Sequence, residues 1–244
     1  MIQLSKRLEA IVAMAASGAN RESQGRGGLC VADIGTDHGF VPICLVERGI
    51  VAKAVAMDIG KGPLQKAREH VRASGLEGKI QLRLCDGLAA LSPGEADIAV
   101  ITGMGGMLML RILREGGHVR ESVGHWVFSP QSELGLFRHG LEGLGLAIRD
   151  EAMVEEDGKY YTVLAAGPGA MHYDEEFRYQ YGDLLIRKKM PVLWEYLKKE
   201  ERQLQNIQKQ LQMQAGQASL KRLEEIEERL GYVKGAFNAM QGID

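Results

Sequence analysis

The chain is short of cysteine, of long hydrophobic runs and of any net charge excess. Its three cysteines in 244 residues, Cys30, Cys44 and Cys85, form no C-x-x-C pair and have no histidine at metal-ligand spacing. That excludes a zinc ribbon or a disulfide framework: no metal is expected, and the thiols, two of them in predicted strands, read as small buried hydrophobes in a reducing compartment. The apolar stretches, such as "AVAM" at 54–57 and "IAVI" at 98–101, are far too short to span a bilayer. The N-terminus carries a basic pair, Lys6-Arg7, before an Ala-rich run. Glu9 interrupts the apolar region, and Leu4, Leu8, Ile11 and Val12 fall at the spacing of an amphipathic helix rather than a signal peptide. A net charge of −2 does not advertise a nucleic-acid binder, so a polyanionic partner must be served by local patches.

What is present is an alternation of strands and helices. Strand patterns at "LCVADIG", "KAVAMD", "KIQLRLCDG", "DIAVIT" and "HWVFSP" are separated by helix patterns, with Pro42 and Pro63 in first turns and Gly75 past a helix end. Two β-rich runs flank Asp157-Gly158, a strong hairpin signal. Five strand–helix units followed by a hairpin predict an α/β fold, a doubly wound and mostly parallel sheet with an antiparallel strand at the end, over residues 1–168. Beyond it, 169–244 is helical. Leu193, Leu197, Leu204, Ile207 and Leu211 keep heptad-like spacing broken by Glu200, and Leu223, Ile226, Leu230, Val233, Phe237 and Met240 resume it after a glycine-containing segment. An antiparallel helical hairpin is expected there.

In such a sheet, ligands bind at the carboxyl ends of the strands where the strand order reverses. Four segments end there: Asp33-Ile-Gly35-Thr36-Asp37-His38-Gly39, Asp58, Asp86-Gly87, and Thr102-Gly103-Met104-Gly105-Gly106. A dinucleotide site wants G-x-G-x-x-G and a P-loop wants G-K-[ST]; neither is present. Asp37 places negative charge where a phosphate would sit. A ligand with a cationic centre and no phosphate tolerates these acids, and a carboxylate after strand two suits a ribose diol. S-adenosylmethionine has that shape.

"DIGTDHG" resembles the first motif of class I S-adenosylmethionine-dependent methyltransferases, D/E-x-G-x-G-x-G, with Asp37 in place of the middle glycine. More narrowly, "LSKRLEAI", "ADIGTDHGFVP", "DIGKGPLQKA", "LCDGL" and "ITGMGG", followed by a helical hairpin, are similar to the bacterial tRNA (adenine-22-N1)-methyltransferase family over nearly the whole chain. Where that family carries a Q-P-N-like tripeptide after strand five, this chain reads Ser129-Pro130-Gln131. The resemblance implies methyl transfer from S-adenosylmethionine to ring nitrogen 1 of a tRNA adenosine. It places Asp33, Gly35, Thr36, Asp37 and His38 at the methionine end of the cofactor, Asp58 and Ile59 by the ribose, and Asp86 with Gly87 by the adenine. Gly103, Met104 and Gly105 would line the cofactor as well, and the turn through Gly105 and Gly106 would face the target base.

No Asp/Asn-Pro-Pro-Tyr/Phe motif follows strand four, which disfavours an exocyclic amine and favours a ring nitrogen on an unpaired or flipped-out base. Asp37 and His38 are the catalytic candidates, as proton acceptors. Met104, Met107 and Met109 also fit core packing. His118, His125, His139 and His172 have no ligand spacing. Cationic groups for tRNA phosphates are Arg7 with Lys6, Arg21 with Arg26, Arg187-Lys188-Lys189 and Lys198-Lys199. Residues 171–244 hold 12 Lys and Arg against 12 Asp and Glu, so most of those cations form a solvated face. Tyr160, Tyr161 and Trp194 are candidate base-stacking aromatics. The expected partner is tRNA, in the cytoplasm, with no membrane and a monomeric or weakly dimeric chain. Alternatives are a methyltransferase for another RNA position or a small molecule, and a non-catalytic cofactor-binding adaptor.

Overall fold

The computed structural model describes residues 4–22, 28–213 and 217–243; Arg26 and the side chain of Arg21 lie outside the described residues. The contacts divide the chain into two compact units, Met1–His172 and Tyr173–Asp244.

In the first unit the order is α1 (Lys6–Glu22), β1 (Cys30–Ile34), α2 (Phe40–Glu47), β2 (Lys53–Asp58), α3 (Lys61–Ala73), β3 (Ile80–Leu84), β4 (Ile98–Thr102), α4 (Gly106–Glu115), α5 (Gly117–Arg120), β5 (His125–Ser129), α6 (Leu134–Gly143), β6 (Leu146–Glu156) and β7 (Lys159–Pro168). The strands form one sheet in the order β3-β2-β1-β4-β5-β7-β6. The first five run parallel and β7 lies antiparallel between β5 and β6. The expected architecture is therefore present, and the order reverses between β1 and β4. β1, β4 and β5 are nearly continuous apolar runs because helices cover both their faces.

One face is packed by Ile11, Val12 and Ala15 of α1, Ile43 and Leu45 of α2 and Val71 of α3, against Val31, Val100, Val127 and Val163. On the other, Phe137 of α6 meets Phe128 of β5 edge-on at 5.1 Å. A Cβ on Gly140 of α6 would come within 2.4 Å of the Leu110 side chain of α4, so only glycine lets these helices meet. α3 starts with Pro63 in its first turn and stops at Gly75, whose φ of 66° lets its N–H and that of Leu76 reach back to the Arg72 and Val71 carbonyls. Asp157 and Gly158 both take positive φ, the conformation a two-residue hairpin requires.

The second unit comprises α7 (Glu176–Tyr181), α8 (Asp183–Arg187), α9 (Pro191–Gln212) and α10 (Gln217–Gln241). Trp194 meets Phe237 edge-on at 4.6 Å, Arg229 donates to Glu200, and Gln208 donates to Glu227 at 3.4 Å. Rising numbers on α9 pair with falling numbers on α10, so the two helices run antiparallel. Leu193, Leu197, Leu204, Ile226, Val233 and Met240 form the buried seam. Glu200, which interrupts the apolar repeat, is buried in it as the partner of Arg229.

In the first unit the Nε of Arg138 on α6 donates to Glu151 on β6 at 2.9 Å, and both side chains are buried. Arg138→Met strands a buried carboxylate and is expected to cost about 3–5 kcal/mol in urea unfolding. Arg138→Met with Glu151→Leu removes both charges and is expected to recover most of that loss.

Candidate functional site

The loop after β1 descends from its strand end in three left-handed steps, at Gly35 (φ 76°), Asp37 (φ 48°) and Gly39 (φ 75°). A Cβ on Gly35 would meet the Met104 methyl at 2.8 Å, so the loop after β4 closes directly over it. Asp37 is no glycine, and its strained backbone needs an external hold. Asp58 at the end of β2 supplies it: one carboxylate oxygen accepts from the Asp37 N–H at 3.3 Å and the other from the Gly60 N–H at 2.7 Å. Above them, the N–H groups of Gly35 and Thr36 both reach the Met57 carbonyl, at 2.9 and 3.0 Å. The Asp37 carboxylate thus stands exposed 3.4 Å from Nε2 of His38.

These segments surround a cleft with two lobes. The larger, about 540 Å³, is lined by Asp58 at the end of β2 and Ile59 after it, Cys85, Asp86 and Gly87 after β3, Met104 in the loop after β4, Leu108, Arg111 and Ile112 of α4, and Gln131. The smaller, about 320 Å³, is lined by Asp33, Thr36, His38 and Phe40 with Ser5 and Leu8 at the start of α1 and Glu156 and Tyr161 of the hairpin. Arg7, Gly35, Asp37, Thr102 and Gly103 belong to both lobes. These volumes match a cofactor-sized ligand. A hollow of about 590 Å³ at the opposite strand ends is bordered by Cys30, Lys53 and Lys79 and shares none of these residues.

Asp33 differs from the other acids in being fully enclosed. It accepts from the Thr36 hydroxyl at 2.6 Å and shapes the loop from inside. Burial pushes its carboxyl up to about 7, against the opposing Thr36 hydrogen bond and with a further push from Asp58. Asp86 lies 3.5 Å from Arg111, which also reaches Glu115 at 3.7 Å.

The sequence thus brings Asp33, Gly35, Thr36, Asp37, His38, Asp58, Ile59, Asp86, Gly87, Gly103, Met104 and Arg7 to one cleft. Two expectations need correction. Gly106, expected at the target base, is buried, and a Cβ there would meet the Ser132 carbonyl at 2.8 Å and Phe137 at 3.0 Å; close packing of α4 on α6 explains its glycine. Cys85 lies one residue past β3, half-buried in the cleft wall, not inside a strand. Gly105 sits beside Ser132, whose hydroxyl would be 3.0 Å from a Cβ there. Of the methionines, Met109 is core, Met107 is exposed and Met104 is cleft wall. Arg187, Lys188 and Lys189 belong to the second unit, where Arg187 is held by buried Asp183 at 2.9 Å.

Sequence reading missed Arg111, Leu108 and Ile112, whose helical phase on α4 was the available signal. It also missed His70. From α3 its Nδ1 donates to the His38 carbonyl at 2.8 Å, and its ring stacks on Phe40 at 4.8 Å, which in turn stacks on His38 at 5.3 Å. No spacing along the chain links residue 70 to residue 38. Among the described residues no group of three or more His, Cys, Asp or Glu is arranged for a metal ion, and no helix is long and apolar enough to cross a membrane.

A sheet of this order, with acids after β1 and β2 at its switch point, defines the class I S-adenosylmethionine-dependent methyltransferase architecture. The family model for TrmK, tRNA (adenine(22)-N(1))-methyltransferase, matches residues 31–234, and the chain belongs to that family. It is 30% identical over 243 residues to the tRNA (adenine(22)-N(1))-methyltransferase of Bacillus subtilis, covering 96% of each chain. The crystal structure of the B. subtilis m1A22 tRNA methyltransferase TrmK superposes with a TM-score of 0.84 at 29% identity, covering 100% of both chains. A Streptococcus pneumoniae protein described as a putative tRNA (m1A22) methyltransferase, solved in complex with S-adenosyl-L-methionine, superposes at 0.81 with 30% identity, covering 96% of this chain and 99% of that one.

Asp33 carries a stability prediction. Its carboxyl titrates near 7 in the folded chain and near 4 in the unfolded one, so the folded state holds the extra proton between those values. Stability therefore falls as pH rises from about 4 to about 7, and the loss persists above. Asp33→Asn keeps an acceptor for Thr36 and abolishes the titration. Its unfolding free energy relative to the parent is expected to increase between pH 5 and pH 8 in urea melts.

Proposed function

We infer that this protein transfers a methyl group from S-adenosylmethionine to ring nitrogen 1 of adenosine 22 in tRNA. The observation that carries the reading is the convergence of three acid-bearing loops and the Thr102–Met104 turn on one cleft, in a chain of this family.

The residues present fit that cofactor. Asp58 keeps acceptor capacity beyond the two N–H groups it binds, as a ribose diol requires. Ile59 is 70% exposed, and with Leu108 and Ile112 it provides apolar walls for an adenine beside Asp86. Gly35, Asp37, Thr102 and Gly103 join the two lobes, where the amino-acid end belongs. When bound, the cofactor supplies a methyl group already activated on a sulfonium, so alignment is the protein's principal task. A sulfonium and an α-ammonium are two positive charges, and Asp33 and Asp37 answer them. As adenine gains positive charge at N1, its exocyclic amine becomes more acidic. Asp37 and His38 are the proton acceptors at that end of the cleft. His70 and Phe40 hold the His38 ring and carbonyl in place.

tRNA docking falls to the basic groups, Arg187, Lys188 and Lys189 among them. A cytoplasmic enzyme acting as a monomer or weak dimer completes the reading.

Incubation with unmodified tRNA and methyl-labelled cofactor is expected to place label in 1-methyladenosine at position 22. Label at an exocyclic amine or at another nucleotide overturns the reading. In single-turnover reactions with cofactor saturating, Asp37→Ala or His38→Ala is expected to slow methyl transfer by about 10²-fold. Undiminished rates in both would remove the proton-acceptor role.

A further inference from the structure

Arg7 stands at the junction of the two lobes and lines both. Its guanidinium lies over the Tyr161 ring, 5.1 Å from the centroid, and a Cβ on Gly103 would sit only 3.8 Å from its Nη2. Its Nε is shielded from solvent and has no hydrogen-bond partner. A buried guanidinium N–H is almost always satisfied, so an orphan at a ligand cleft marks an acceptor that arrives with the ligand. The nearby acids do not provide one. Glu156, in the same lobe, is engaged by the Lys6 backbone N–H at 2.7 Å, and Asp33 by Thr36. The other cation of the cleft, Arg111, is committed to Asp86 and Glu115.

Resting on the reading above, we propose that Arg7 is the receptor for the α-carboxylate of the cofactor's amino-acid tail, bound side-on through Nε and one Nη. The charges then sort themselves. The tail of S-adenosylmethionine carries two positive groups and one negative; the junction offers a carboxylate from Asp37 and one uncommitted guanidinium from Arg7, with Asp33 beside them in the smaller lobe. Side-on pairing is the planar, two-bond arrangement that arginine makes with a carboxylate and lysine does not. Tyr161 supports one face of the guanidinium and leaves its edge for that pair. α1 carries this group, and its start is fixed to the hairpin by the two Lys6 bonds, to Glu156 and to the Glu155 carbonyl. The N-terminal helix is thereby part of the cofactor site.

The test compares two uncharged-sulfur ligands by calorimetry: S-adenosylhomocysteine, which has the amino-acid tail, and 5′-methylthioadenosine, which lacks it. Arg7→Ala is expected to weaken S-adenosylhomocysteine binding tenfold or more and to leave 5′-methylthioadenosine within about twofold of the parent. Arg7→Lys, which disturbs the fold least, is expected to lose several-fold for the first ligand only. Equal losses for both ligands, or no loss for S-adenosylhomocysteine even with tRNA affinity reduced, overturns the assignment. A parent protein that binds neither ligand instead refutes the cofactor reading itself.

Discussion

The site depends on the end of β2 gripping the loop after β1. Met57 accepts two N–H groups from that loop, and Asp58 accepts a third from Asp37 while capping its own turn at Gly60. Left-handed backbone at a residue with a side chain costs of order 1–3 kcal/mol, so Asp37 holds its φ of 48° only while these bonds over-determine it. A glycine there would relax the strain and remove the carboxylate. The chain instead keeps an acid at a position of glycine geometry, and Asp58 shapes the loop as well as lining the larger lobe of the cleft.

From that clamp follows a division of labour among the acids. Asp33, fully enclosed, is pushed towards neutrality and serves as a hydrogen-bonding strut under Thr36. Asp37, exposed, retains its solvation and its proximity to His38. Asp86 shares the larger lobe with Arg111, which moderates its field. A cleft so arranged repels a pyrophosphate and accommodates a ligand whose charge is cationic at the reacting end. A cationic ligand at the junction would also favour ionised Asp33, coupling occupancy of the site to proton release near pH 7.

β1, β2 and β4 were legible because burial writes them as largely apolar runs with Asp or Gly where the chain must turn, and β3 because apolar and polar residues alternate along it; β2 matches its predicted span residue for residue. The acids at those ends were legible for the same reason, since the fold gathers strand ends into one place. What stayed hidden depends on contacts between distant segments. His70 reaches the His38 carbonyl across 32 positions, and only the mutual placement of α3 and the β1 loop reveals it. Gly106 shares its motif with Gly103, yet one answers to the packing of α6 and the other to the cleft. A glycine looks the same in sequence whether its missing Cβ makes room for a ligand or for a neighbouring helix.

Glu200 shows the same limit within the second unit. As a sequence feature it breaks a leucine repeat; in the structure it is buried in the seam and answered by Arg229 from the facing helix. Two apolar stripes of similar residues can slide past one another by a turn at little cost, and a single buried carboxylate that needs its cation from the facing helix penalises every register but one. The interruption thus contributes specificity where another leucine would contribute only burial. With cations and anions equal in number along 171–244, the net charge of this unit gives it no general attraction for a polyanion. In this unit, buried Glu200 and the half-exposed Arg229 that answers it fix the register that a generic apolar hairpin leaves open.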